Sequence, residues 1–305
     1  MGEKKKILVY GTGAVGGYFG GKLALNSDND VRFIARSNLS KLKKNGLIVK
    51  SFKGDFKVKV KAHKSPSEVK YIPDLVILTM KSYDTNEAIE KLKGIIGKET
   101  LILSIQNGLS NYNKLLKAFG KKRVVRGFCY IGSEMLDSGI IKHTSNGFII
   151  IGESEGISKK VIDELYRLFT ESDIETRKSK DIIHDIWAKF SWNCTLNILC
   201  ALIGKDTDSL FSSKETEKLT RDLYDEIRKV AKAHGVMLTK KDESNVIDKA
   251  KQYGPFKPST LQDIQKGKML EYEAFTGDIV RMAKSKGVLV PINNTLYGLL
   301  KAVEN

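Results

Sequence analysis

The chain has 305 residues, 41% of them hydrophobic, with 52 Lys+Arg against 36 Asp+Glu and a formal net charge of +16. That length suits two domains, and that hydrophobic share matches an ordinary globular protein, which excludes disorder over most of the chain. The basic excess is mostly Lys interspersed with acids and comes with no RNP, zinc-finger or basic-zipper pattern. It therefore reads as solvated surface, with a field suited to an anionic cofactor or substrate, and not as a nucleic-acid footprint.

The N-terminus, MGEKKKILVYGTG, begins basic, but its apolar run is too short for a signal peptide. Gly2 is present, yet Lys6 takes the Ser/Thr position of a myristoylation motif. No apolar stretch reads as membrane-spanning. Residues 6–10 form a short aliphatic strand, followed by Gly11, Gly13 and Gly16 as G-x-G-x-x-G and then a helical pattern through Leu25. In a strand–turn–helix setting the first glycine permits the turn, the second lets backbone approach a pyrophosphate, and the third allows close helix packing. Amides at the helix N-terminus then face the anion.

The next strand, DVRFIAR, ends about 20 residues beyond Gly16, where NAD-binding domains usually carry an acid for the ribose 2′-hydroxyl. This chain has Ala35 and Arg36 there. A guanidinium can bind a 2′-phosphate with paired hydrogen bonds, so the cofactor expected is NADP(H). GLIVKSF and DFKVKVKA read as a hairpin around Lys53-Gly54, and residues 74–81 and 100–108 as buried parallel strands. Lys81 and Gln106-Asn107-Gly108 fall at their carboxyl ends, the edge where open parallel sheets bind ligands. RVVRGFCYIGSEM and GFIIIGE add partly antiparallel strands, and residues 174–182 form the last strand and the exit.

From Asp181 onward helical runs dominate: 182–203, 214–234, 240–252, 259–286 and about 293–303. Gly235 and Gly287 fall where C-caps belong. The fold class is an α/β Rossmann-type dinucleotide-binding domain, residues 1–180, followed by an all-helical C-terminal domain, residues 181–305. Cys129, Cys194 and Cys200 form no CxxC, and the four histidines show no metal-ligand spacing. Packed, reduced thiols in a cytoplasmic protein without a metal are expected.

In the first of these helices, IWAKFSWNCTLN places Lys189, Asn193 and Asn197 at i, i+4 and i+8. On an α-helix they share one stripe, about 40° apart per step. One reading makes the stripe a solvent face. The other sets it across an interdomain site from a nicotinamide, where an ammonium stabilises the oxyanion formed by hydride delivery and donates the proton. The amides would hydrogen-bond a carboxylate or hydroxyl without adding charge.

Over essentially its full length the chain resembles the ketopantoate reductase (2-dehydropantoate 2-reductase) family. GTGAVGGYFGGKLA is similar to the family's opening motif, LTMKSYDT to its lysine-bearing strand end, SIQNGL to its Gln/His-Asn-Gly turn, WAKFSWNCTLN to its K-x-x-x-N-x-x-x-N, KPSTLQDIQKGKMLEYEAFTG to its S-x-L-Q-D…E…G segment, and KGVLVPINNTLY to its ending. The resemblance implies reduction of 2-dehydropantoate to pantoate with NADPH, on the route to pantothenate and coenzyme A. It makes Lys189 the general acid and Asn193, Asn197 and Ser259 substrate ligands. Glu271 would position substrate and lysine and border the cofactor. The turn Gly11, Thr12, Gly13, Ala14, Val15 and Gly16, with Arg36, Lys81 and Asn107, would hold the cofactor, Asn107 also reaching the substrate. One departure stands out: where family members commonly read N-P-L-T-A after the second amide, this chain has Ile198 and Cys200 in NILCA. It bears on which 2-oxo acid is reduced, not on the fold or the hydride chemistry. A related NADP-dependent reductase of another small 2-oxo acid and a non-catalytic NADP-binding regulator are the alternatives. The partner expected is a small 2-oxo acid, with no nucleic acid and no membrane. Oligomeric state is left open, a homodimer among the options.

Overall fold

A computed structural model describes residues 4–26 and 28–304, the Tyr253 side chain excepted; Gly2 lies outside the described residues. The strands are β1 (Lys5–Tyr10), β2 (Asn29–Ile34), β3 (Leu47–Ser51), β4 (Phe56–Val58), β5 (Lys61–His63), β6 (Leu75–Leu78), β7 (Leu101–Ser104), β8 (Val124–Met135), β9 (Ile141–Gly152) and β10 (Glu175–Ser179). The α-helices are α1 (Ala14–Leu25), α2 (Leu39–Asn45), α3 (Thr85–Leu92), α4 (Ser110–Phe119), α5 (Lys159–Thr170), α6 (Ile182–Trp192), α7 (Ile198–Ile203), α8 (Lys214–Ala233), α9 (Lys240–Tyr253), α10 (Ser259–Gln265), α11 (Thr276–Lys286) and α12 (Pro291–Glu304). The chain divides into two compact units, one of residues 1–107 and 111–182, the other of residues 108–110 and 183–305.

The first unit is built on one mixed sheet. Strands β5-β2-β1-β6-β7-β8 run parallel in that order. This is the doubly wound arrangement in which strand order reverses beside β1, and ligands bind at the carboxyl ends of the strands there. β6 reads LVIL and is buried at every position, as a central parallel strand covered on both faces must be. One apolar layer packs α1 and α5 on the sheet through Phe19, Leu23, Ile162 and Phe169. The opposite layer packs α3 and α4 through Ala88, Leu92, Leu115 and Phe119. The β8–β9 hairpin, antiparallel with register shifts near Ile131, carries the sheet on to β3 and β10.

The segment expected as one hairpin arm is split. β4 does pair antiparallel with β3, but β5 pairs in parallel with β2, at the other end of the sheet. An alternating pattern specifies which face is buried and says nothing about the neighbouring strand.

The second unit is helical around one apolar cluster that includes Trp187, Phe190, Leu223, Tyr224, Ile247, Phe275 and Leu300. The helix expected over 259–286 is two helices. α10 ends at Gln265, Gly267 takes φ +61°, and α11 begins only at Thr276 after a short 3-10 turn, Tyr272–Ala274. A left-handed glycine ends an α-helix, and helical periodicity on either side of it does not show the break. The buried carboxylate of Glu226 accepts the backbone N–H groups of Ile292 and Asn293 at 2.8 and 2.9 Å, capping α12 just after Pro291. Contrary to the sequence reading, residues 182–203 are long and apolar enough to cross a membrane, but 67% of their most apolar window is buried in this unit. Their hydropathy is that of a core helix.

Candidate active site

The glycine turn follows from backbone geometry. Gly11 sits at φ +100°, and a Cβ there would lie 2.5 Å from the Met80 nitrogen. A Cβ on Gly16 would collide with the Gly11 carbonyl oxygen and the Thr79 hydroxyl. Gly13 is different: it is extended, at φ −86° and ψ −158°, and nothing lies within 4 Å of where its Cβ would stand. It is the N-cap of α1, with no side-chain cap and no acid in the first turn. The helix therefore starts with N–H groups that lack intrahelical partners, beside backbone that a large anion can approach. These residues fit a dinucleotide pyrophosphate. Ala14 and Val15 supply the first-turn amides, both half-buried. Thr12 is buried and donates its hydroxyl to the Ile34 carbonyl at 3.0 Å, so its side chain joins β1 to β2.

The strand ends carry the other first-unit candidates. Arg36, just past β2, is half-exposed and ion-paired with Asp84 and Glu87, each at 3.0 Å. Lys81 is half-buried at the head of the 3-10 turn Ser82–Asp84. Asn107 is half-buried, and its carbonyl accepts from the Asn111 amide at 2.7 Å. Behind it lies a buried relay. Ser104 donates to Gln106 Oε1, Gln106 Nε2 donates to Thr85 Oγ1 and to the Met80 carbonyl, and Thr85 donates to Asn111 Oδ1, each at 3.0 Å. One directed set of hydrogen bonds thus fixes the backbone next to Lys81 and the Asn107 peptide together.

The second-unit candidates begin on α6. Lys189 is half-buried in its last turn. The rod does not continue as an α-helix: residues Asn193–Asn197 form a π-helical turn before α7. Asn193 and Asn197 are 6% and 4% exposed, so the solvent-face reading fails for both amides. The expected steady drift of the stripe fails as well. The α step from Lys189 to Asn193 overshoots a full rotation by about 40°. A π turn holds more residues per rotation, so the equal step from Asn193 to Asn197 falls short of one and swings back. Asn197 Nδ2 donates to Asn193 Oδ1 at 3.2 Å, while Asn197 Oδ1 is buried and accepts no hydrogen bond from the described residues. A buried acceptor left so is costly unless something else satisfies it.

Glu271 is 5% exposed and heads the 3-10 turn after α10. Its carbonyl accepts from the Ala274 N–H at 2.9 Å, and Ala274 packs against Gly108, where a Cβ would come within 2.8 Å. Gly108 needs its freedom twice, for that approach and for φ +91°. The Ser110 N–H donates to the buried Asp278 carboxylate at 3.1 Å. The backbone directly after Asn107 is thereby held by the Glu271–Asp278 segment. Ser259 is exposed at the start of α10, apart from the buried Asn193 and Asn197 in character. Burial holds the Cys194 thiol well above its ordinary range and pushes Cys200 to about 12, so both are packing groups.

Sequence reasoning missed Thr79, whose hydroxyl donates to the Gly11 carbonyl at 2.6 Å, and the Thr85–Asn111 pair. The signal for Thr79 was its place at a parallel strand end; Thr85 and Asn111 lie in helices, where nothing in the local pattern marks them.

The family model described as ketopantoate reductase PanE/ApbA matches residues 7–156, and that of its C-terminal domain matches residues 181–304. The 2-dehydropantoate 2-reductase of Pyrococcus abyssi is 34% identical, over 98% of this chain and 98% of its own. That of Aquifex aeolicus is 33% identical, over 98% and 97%. The crystal structure of a PanE/ApbA family ketopantoate reductase from Ralstonia eutropha JMP134 superposes with a TM-score of 0.90 at 31% identity, covering 98% of both chains.

Proposed function

The chain belongs to the ketopantoate reductase family, and from that premise we propose that it reduces 2-dehydropantoate to pantoate with NADPH, Lys189 acting as general acid. The observation that carries the reading is the file of Lys189, Asn193 and Asn197 on one helical rod, with both amides buried.

When bound, the nicotinamide supplies the hydride. Lys189 donates the proton to the ketone oxygen as negative charge grows there, and its ammonium stabilises that charge beforehand. Asn197 Oδ1 accepts from the substrate hydroxyl, which would satisfy an acceptor otherwise buried alone. Asn193, Ser259 and Asn107 hold the rest of the substrate, and Glu271 orients the lysine. The glycine turn carries the pyrophosphate on the α1 amides, Arg36 meets the 2′-phosphate, and Lys81 stands on the cofactor side.

A second reading, reduction of a different small 2-oxo acid, is favoured by Ile198 and Cys200 after the second amide. Both are fully buried, so they alter packing beneath the amide without presenting a new polar group. A spectrophotometric panel separates the readings. NADPH loss is followed with 2-dehydropantoate, pyruvate, 2-oxoisovalerate and oxaloacetate. The first reading expects kcat/KM highest for 2-dehydropantoate; turnover of another acid with none of 2-dehydropantoate supports the second. No turnover of any acid refutes both.

A further inference from the structure

Arg36 stands where a 2′-phosphate contact is expected, but its guanidinium is already occupied. Nη1 lies 3.0 Å from Asp84 Oδ1 and Nη2 lies 3.0 Å from Glu87 Oε2. Glu87 is held in turn by Lys91, one turn further along α3. The four side chains form a set of two cations and two anions with no net charge. Both arms of the fork that would grip a phosphate are spent on carboxylates.

These pairs are at the surface, with the Arg36 and Glu87 side chains 51% and 48% exposed. Ion pairs of that kind are weak, so they compete for Arg36 without locking it. A 2′-phosphate must exchange both pairs and then enter the field of two carboxylates. A 2′-hydroxyl at the same place carries no charge to be repelled and needs no guanidinium.

We propose that Asp84 and Glu87 are specificity-determining residues that hold down this chain's preference for a 2′-phosphorylated nicotinamide dinucleotide by competing with the phosphate for Arg36. The proposal rests on the reading of Arg36 as the 2′-phosphate contact. Asp84 and Glu87 act at the cofactor through Arg36, and their charge, not their bulk, is what matters. The Asp84 side chain makes no cap hydrogen bond to α3, so its replacement by Asn removes none from the helix.

The test is calorimetric binding of NADP⁺ and NAD⁺ to the full chain without substrate, so that no turnover enters. Wild type is compared with Asp84→Asn/Glu87→Gln, Arg36→Ala and the triple variant, each checked for an unchanged melting temperature. In the double variant the Kd for NADP⁺ falls about three- to thirtyfold while that for NAD⁺ stays within about twofold. In the Arg36→Ala background that gain disappears. An unchanged NADP⁺/NAD⁺ ratio in the double variant, equal tightening of both cofactors, or a gain that survives without Arg36 overturns the proposal. If Arg36→Ala alone leaves the ratio as in wild type, the phosphate reading of Arg36 fails and the proposal with it. If Arg36→Ala lowers the ratio and the double variant is silent, the proposal alone fails.

Discussion

Asn197 donates its side-chain amide to Asn193 Oδ1 at 3.2 Å across a single π turn. The bond commits one face of each amide to the other and leaves Asn197 Oδ1 as a buried acceptor. Removing a hydrogen bond from a buried polar group costs about 1–3 kcal/mol. Asn197→Ala is therefore expected to raise KM for the 2-oxo acid about tenfold or more, with a smaller change in kcat, by initial-rate kinetics. An unchanged KM would make Asn197 a structural residue only.

Gly13 and Gly16 should separate binding from folding. Alanine at 16 meets the Gly11 carbonyl and the Thr79 hydroxyl, a crowding that costs about 1–3 kcal/mol and lowers the melting temperature. Alanine at 13 meets nothing within 4 Å and keeps an allowed φ of −86°, so stability stays within about 1 kcal/mol of wild type. Its methyl nevertheless stands where a pyrophosphate approaches, and NADPH affinity should fall about tenfold by fluorescence titration. Equal loss of stability in both variants would remove the distinction.

Asn111→Ala deletes the donor to the half-buried Asn107 carbonyl and the acceptor for the buried Thr85 hydroxyl, which keeps only the bond it accepts from Gln106 Nε2. About 2–3 kcal/mol of stability should be lost in urea unfolding, and NADPH binding should weaken as Asn107 loosens. Asn111→Asp, which sets a buried carboxylate oxygen against the Asn107 carbonyl oxygen, should be at least as destabilising as Asn111→Ala.

His184 and Asp242 give the helical unit a pH signature. Their Nε2 and Oδ2 atoms are 3.1 Å apart. Burial pulls the His184 pKa down, but Asp242 and Asp185 outweigh it and leave it raised. Burial pushes Asp242 up, but its bonds to Thr239 and to His184 leave it lowered. The raised histidine contributes stability below its unfolded pKa of about 6.5, lost as pH rises through the folded value. The lowered aspartate contributes above about 3.9, lost as pH falls. The stability gap between wild type and His184→Gln should accordingly be wider at pH 5.5 than at pH 8.5 in urea titrations. A constant gap would contradict the pairing.

Much of the first unit was legible because each of its signals is local. Gly11 and Gly16 each answer a backbone demand, Gly13 leaves open backbone at the start of α1, and the apolar runs of β6 and β7 read as central strands. Local signals do not name partners, which is why the stretch around β4 and β5 was read as one arm. The break after Gln265 hides inside helical periodicity, since a single Gly267 within a helical pattern does not by itself mark an end. The stripe of Lys189, Asn193 and Asn197 was visible as polar side chains spaced along an apolar helix. The π turn beneath it was not, because the propensities of Cys194, Thr195 and Leu196 do not distinguish π from α winding. Arg36 was legible as a cation at the end of β2. Its carboxylate partners come from Asp84 and Glu87, some 50 residues on, and only the folded sheet brings them there.

The most direct test of the account is the turnover of Lys189→Ala. With whichever 2-oxo acid the panel identifies, at saturating NADPH, kcat should fall on the order of 10²–10⁴-fold while the Kd for NADPH stays near wild type. Turnover close to wild type, with the cofactor bound as before, would take Lys189 out of the chemistry.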